Sequence, residues 1–237
     1  MLANRFPFFL STLLGCVTCC AEAPVDVDLR AVYDRTDRDF ERAVMFRPDD
    51  AASELSGFTL APLLIVENGE PGRTPPEVTF ERTDDGWTYR WWDPVSGNAQ
   101  GVHLTLGNDG FPIVYEVLKD SSGARLLFVD SGLEERVAGE FGAPLRDRRF
   151  SVERSVDEAA DVIVGGIFEP GSRPLGPFVY LKEETHDVNV VLCRCMTPRV
   201  FDIVDSIAYR LSPHDPATER AGLEASAAIE SSLRVVP

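Results

Sequence analysis

Short runs of alternating or continuous apolar residues recur along the chain, each followed by residues that favour a reversal. They fall at Pro62 to Glu67, Glu77 to Arg82, Trp87 to Trp92, Gly101 to Leu106, Pro112 to Leu118 and Arg125 to Asp130. A period of two places successive side chains on opposite faces of a strand. Asn68-Gly69, Asp84-Asp85-Gly86, Ser96-Gly97-Asn98, Asn108-Asp109-Gly110 and Ser122-Gly123 stand between the runs and supply turn chemistry. Parallel pairing needs long crossovers, so strands this closely spaced pair antiparallel. The spacing predicts a meander of five or six strands.

A second block is expected at Arg149 to Glu153, Asp161 to Phe168, Phe178 to Lys182 and Val188 to Cys193. The stretch from Glu169 to Pro177 carries too many prolines and glycines for a regular element and reads as a loop. Helical spacing accounts for other segments. From Leu29 to Phe46, Val32, Phe40, Ala43, Val44 and Phe46 recur at that spacing, which predicts an amphipathic helix broken at Pro48-Asp49-Asp50. A short helical stretch is expected through Leu55, stopped by Gly57. Ser131 and Glu134 have the spacing of a capping box ahead of Leu133, Val137 and Phe141, predicting a helix ended by Gly142. From Val200 to Leu211 the apolar positions fit a helix and a strand equally. Asp215-Pro216 is a cap and first-turn pair for a last Ala-rich helix reaching about Leu233. No fixed-period repeat is present. The fold class expected is α+β, a mainly antiparallel sheet with a few short helices.

The first residues change what is counted as fold. Met1 to Arg5, an apolar run from Phe6 to Leu14 and then small residues and cysteines have the layout of an export signal, so residues 1–23 are set apart and 24–237 form one expected domain. The apolar run is too short to span a bilayer, which takes about 20 residues. Leu13-Leu14-Gly15-Cys16 resembles a lipobox in which Cys16 becomes the lipidated N-terminus, with Leu14 bulkier than the small residue usual at that position. Ala21-Glu22-Ala23 offers the competing cut after Ala21 or Ala23. The expected location is outside the cytoplasm, in the periplasm or cell envelope, with membrane attachment only through that lipid.

Lysine and arginine total 23 against 39 aspartate and glutamate, a net charge of −16. Such a surface repels nucleic-acid phosphates, so nucleic acid is not an expected partner. Of five cysteines, Cys16, Cys19 and Cys20 belong to the leader, leaving only Cys193 and Cys195 in the domain. Burial rather than a disulfide framework must stabilise it.

Three features could carry chemistry. Cys193 and Cys195 share a face if the strand ending at Met196 continues through them. Two thiols there would suit Cu(I) or Zn(II), with His186 as a third ligand, or a strained disulfide; the competing reading is buried packing. All three tryptophans lie between Trp87 and Trp92, and alternation puts Trp87, Tyr89 and Trp91 on one face. That face is either core or a stacking platform for a glycan or peptide. His103, His186 and His214 have no partners at catalytic spacing, and His103 is expected to face solvent or a polar neighbour. Adjacent acids at Asp49-Asp50, Asp84-Asp85, Glu134-Glu135 and Glu183-Glu184 read as solvated turns and helix starts. No catalytic set and no cofactor motif is recognised.

Gly176-Pro177-Phe178-Val179-Tyr180-Leu181, with the strand ending Leu192-Cys193-Arg194-Cys195-Met196, resembles a group of exported proteins of planctomycete-type bacteria. The likeness spans about His103 to Leu211. It implies export and a bacterial source, and carries no activity or site residue with it. The expectation is a non-catalytic binding or structural module with a protein or glycan partner. The alternatives are a soft-metal or thiol redox protein using Cys193 and Cys195, and a hydrolase with an unrecognised site.

Overall fold

Among the described residues, twelve strands make two mixed sheets that share one buried apolar cluster. The structure is a computed structural model describing residues 27–92, 99–119, 122–154, 161–183, 187–195 and 198–215. Helix α1 (Leu29–Thr36) opens it, followed by β1 (Phe40–Pro48) and β2 (Leu63–Glu67). Next come β3 (Glu77–Arg82), β4 (Gly86–Trp92), β5 (Ala99–Leu106), β6 (Pro112–Val117) and β7 (Arg125–Asp130). Helix α2 (Ser131–Phe141) leads to β8 (Val162–Phe168), β9 (Pro177–Leu181), β10 (Val188–Cys193), β11 (Val200–Tyr209) and β12 (Leu211–Pro213).

The five-stranded sheet has the order β10-β9-β2-β1-β11 and the seven-stranded sheet β12-β3-β4-β5-β6-β7-β8. The expected meander is real for β3 to β7, whose neighbours all pair antiparallel. The rest corrects the expectation. β2 belongs to the other sheet, and β1 with β11, β2 with β9, β7 with β8 and β3 with β12 pair in parallel. The α+β class holds in its coarse form. The parallel pairs join strands far apart in sequence, or join β7 to β8 through a crossover holding α2.

Between β11 and β12 the chain changes sheet at Arg210, which ties that side of the sandwich together. Tyr89, Val102, Leu104 and Tyr115 of one sheet and Phe46, Leu64, Ile65 and Tyr180 of the other are all essentially sealed from solvent. Strands β9 and β10 are buried along their whole length, as continuous apolar runs covered on both faces should be.

The expected helix over Leu29 to Phe46 is half right. Asp28 caps α1 by accepting from the Ala31 N–H at 3.2 Å, and the helix ends at Thr36. Phe40 onward is strand β1. A register shift between Ala43 and Val44 marks a bulge against β11, which turns both residues inward beside Phe40 and Phe46. A bulge breaks strict alternation, and the resulting spacing imitates a helix.

Two other expectations are corrected. Asp130, not Ser131, caps α2, accepting from the Leu133 N–H at 3.0 Å. The expected strand at Arg149 to Glu153 is a bend followed by a turn, because carboxylates rather than a neighbouring strand take its N–H groups. Glu153 accepts from Arg149 and Phe150, and Glu134 from Ser151 and Val152. The undecided stretch from Val200 is strand. The expected leader, including Cys16, and the helix expected beyond Asp215 lie outside the described residues.

Candidate functional site

Strand β4 sorts its side chains strictly by parity. Trp87, Tyr89 and Trp91 turn inward at 7%, 0% and 3% exposure. Phe80 meets the rings of both Trp87 and Tyr89, and the Tyr89 hydroxyl donates to the Gly57 carbonyl at 2.7 Å. The row expected as a core face or a platform is therefore packed into the interior. Thr88, Arg90 and Trp92 occupy the opposite face. Trp92 remains 37% exposed there.

A cleft of about 590 Å³ lies where Trp92 meets the neighbouring strands. Glu77 and Thr79 of β3, Arg90 and Trp92 of β4, Ala99 of β5 and Ser212 of β12 line it together with Arg210, Lys119, Leu118, His214 and Asp215, and the otherwise buried Trp91 and Gln100 border it with Pro213. Register explains the convergence. Trp92 pairs with Glu77 and Ala99, Arg90 with Thr79, and Thr79 with Ser212, and cross-strand partners point to the same side of a sheet. Leu118 reaches in because Gly101 beneath it has no side chain. A Cβ there would come within 2.7 Å of the Leu118 methyl and 2.5 Å of the Tyr89 carbonyl oxygen.

The cleft holds an aromatic wall, two neighbouring hydroxyls and several charges. Arg90 donates to Glu81 at 3.2 Å. The volume is within the range of small-molecule sites. Sequence reasoning missed this face, although a signal existed: Trp92 shares parity with the polar pair Thr88 and Arg90 and not with its two fellow tryptophans.

The two cysteines part company at the end of β10. The strand ends at Cys193, so alternation does not carry on to Cys195; Cys193 is buried and Cys195 exposed. The Cys193 sulfur accepts the Cys195 N–H at 3.2 Å, and the Cys195 thiol donates to the Glu169 carbonyl at 3.2 Å. Desolvation, then the hydrogen bond with Cys193, pushes the Cys195 thiol up to about 11. The 169–177 loop packs onto the pair at Gly171, where a Cβ would sit 2.9 Å from that of Cys195. Among the described residues no group of three His, Cys, Asp or Glu side chains is placed to hold a metal ion. His186 lies outside them.

Arg194 between the cysteines is largely buried. Its guanidinium donates to the carbonyls of Gly176, Thr59 and Ala61 at 2.6, 2.9 and 3.1 Å. Burial moves it below the ordinary arginine range. It fastens the loop ahead of β9 to the segment ahead of β2.

A hydroxyl, imidazole and carboxylate also meet on the outer face. Thr88 Oγ1 lies 2.9 Å from His103 Nδ1, and His103 Nε2 lies 3.4 Å from Asp85 Oδ2. The Thr83 hydroxyl at 2.9 Å, then His103, holds the Asp85 carboxyl below its ordinary range. Nucleophilic catalysis needs a hydroxyl that a substrate carbonyl can approach, and Thr88 is only 4% exposed. The trio fits a structural link across β4 and β5, with the polar neighbour expected for His103.

No helix among the described residues is long and apolar enough to cross a membrane. No family model matches the chain, and no curated protein or solved structure is similar enough to count as a match.

Proposed function

We propose that the chain is an exported, non-catalytic binding module that takes a small ligand in the cleft around Trp92. The observation that carries the reading is the cleft itself: about 590 Å³ over the outer face of the seven-stranded sheet, walled by a large aromatic ring that folding leaves exposed. An exposed indole flanked by hydroxyls and arginines is equipped to recognise a ligand. Export rests on the leader from Met1 to Ala23, and attachment to the envelope on lipidation of Cys16.

Thermal unfolding with a chemically varied panel of small molecules tests the reading. A ligand at 100 times its Kd stabilises the fold by about 2.7 kcal/mol. At least one class should raise the midpoint of the native chain and leave a Trp92→Ala variant unmoved. A panel that shifts neither protein, or shifts both equally, removes the cleft from consideration.

A further inference from the structure

We infer that the ligand of this cleft is a carboxylated sugar, a pyranose ring bearing an acidic group of the uronate kind. The inference rests on the reading of the cleft as the binding site and adds the chemistry of its occupant. A pyranose presents a face of C–H groups, a rim of hydroxyls and, in a uronate, one planar carboxylate. The cleft offers a counterpart to each.

The exposed parts of Trp92 and Leu118, 37% and 43% accessible, make an apolar wall on which a C–H face can lie. Thr79 and Ser212 are direct partners across β3 and β12 on the same outward side. Each carries a hydroxyl that both donates and accepts, which suits neighbouring ring hydroxyls. Arg90 and Arg210 both line the same cleft, and a guanidinium fits a carboxylate with two parallel hydrogen bonds.

Charge argues in the same direction. In a chain of net −16 many of the described arginines are engaged with acids, among them Arg38 with Glu67, Arg125 with Glu116, Arg148 with Asp161 and Arg149 with Asp37. Among the described residues Arg210 and Lys119 carry no ion pair, and Arg90 gives one nitrogen to Glu81. The overall negative field opposes an anion at a distance, but it is screened beyond about 8 Å at physiological salt. At contact range the cationic side chains Arg90, Arg210 and Lys119 outnumber the acids Glu77 and Asp215 in the lining. A fatty acid would bury the Thr79 and Ser212 hydroxyls without partners, which is costly. A bare phosphate would leave the Trp92 wall unused.

Isothermal titration of the full chain with glucuronate, galacturonate, their short oligomers and glucose tests the inference. Uronates should bind at least about tenfold more tightly than glucose, since charge-assisted bonds are roughly twice as strong as neutral ones. Arg210→Ala and Trp92→Ala should each weaken uronate binding about tenfold. Both positions are solvent-exposed, so both variants should keep the native thermal midpoint. Tighter binding of oligomers marks a polysaccharide as the source, and equal binding a free sugar acid. Glucose matching the uronates, uronate binding unchanged in both variants, or no uronate heat at about 10 mM, a limit weaker than ordinary sites, would overturn the assignment. If another class of molecule stabilises the native chain through Trp92 while uronates do not, only the sugar-acid assignment falls. If nothing does, the cleft reading falls as well.

Discussion

The hydroxyl of Tyr33 on α1 donates to the carboxylate of Glu153, which is fully buried. The same carboxylate accepts from the N–H groups of Arg149 and Phe150 at 2.7 Å each and of Val164 at 3.1 Å. One side chain thus joins the first helix, the turns after α2 and strand β8. Glu153→Gln should be severe, because its amide NH₂ would face donors and the charge they were arranged around would be gone. About 3 to 5 kcal/mol in urea unfolding is expected. Tyr33→Phe should cost about 1 kcal/mol. A Glu153→Gln loss below about 1 kcal/mol, the net value of one ordinary hydrogen bond, would contradict this role.

All five tyrosines are held above their ordinary range, chiefly by burial. Tyr33 and Tyr180 are pushed up to about 12, and Tyr89, Tyr115 and Tyr209 further. A raised folded value means that the unfolded chain gives up its phenolic protons first, near pH 10. The stability this contributes is complete below about pH 10 and is lost as pH rises through 12. Tyrosinate absorbance should appear in one cooperative step together with loss of the sheet signal in circular dichroism. Gradual tyrosine ionisation in a still-folded protein would show that these rings are not buried.

The cysteines should differ in their access to a thiol reagent. Cys195 is exposed but titrates near 11, so its thiolate fraction at pH 8 is roughly a hundredfold below that of a free cysteine. Slow modification at Cys195 and almost none at Cys193 are expected until denaturant is added. Rapid reaction at either site, or stoichiometric zinc or copper lost on Cys193→Ser, would revive the metal or redox reading.

Strands β2 to β7 were legible because each is bounded by residues that favour reversal, and from β3 to β7 the short separators dictate antiparallel pairing to the next strand, whereas β2 joins the other sheet. The parallel pairs were not. Nothing local in Leu63 to Glu67 says that it lies beside Pro177 to Leu181, since that choice is made by burial of the two sheets on one another. β1 was misread because its bulge at Ala43 and Val44 gives apolar residues a helical spacing. At the cleft, alternation correctly put Trp87, Tyr89 and Trp91 together but could not say which face would be covered. The polar residues Thr88 and Arg90 mark the outer face, and the aromatic left there is Trp92. Asp85, Thr88 and His103 meet only because β4 and β5 pair in one register.

The proposed leader gives a prediction independent of the fold. If Cys16 is lipidated, Cys16→Ala should move the protein from the membrane fraction to the soluble one and abolish incorporation of a fatty-acid analogue. Native protein that is soluble and unlabelled in the producing cell would contradict the anchor.

Two neighbouring tryptophans on opposite faces of β4 give the most direct test of the central claim that the outer cleft, not the inner aromatic row, is the binding surface. Trp91→Ala should cost about 3 to 5 kcal/mol, as removal of a buried aromatic side chain does, whereas Trp92→Ala should stay within about 1 kcal/mol. The decisive measurement is the set of indole N–H signals in the nuclear magnetic resonance spectrum of the full chain, assigned with Trp92→Phe, during titration with galacturonate. The account predicts that the Trp92 signal shifts in a saturable way while the Trp87 signal stays in place. A shift confined to Trp87, or saturable binding that leaves the Trp92 signal unmoved, would contradict it.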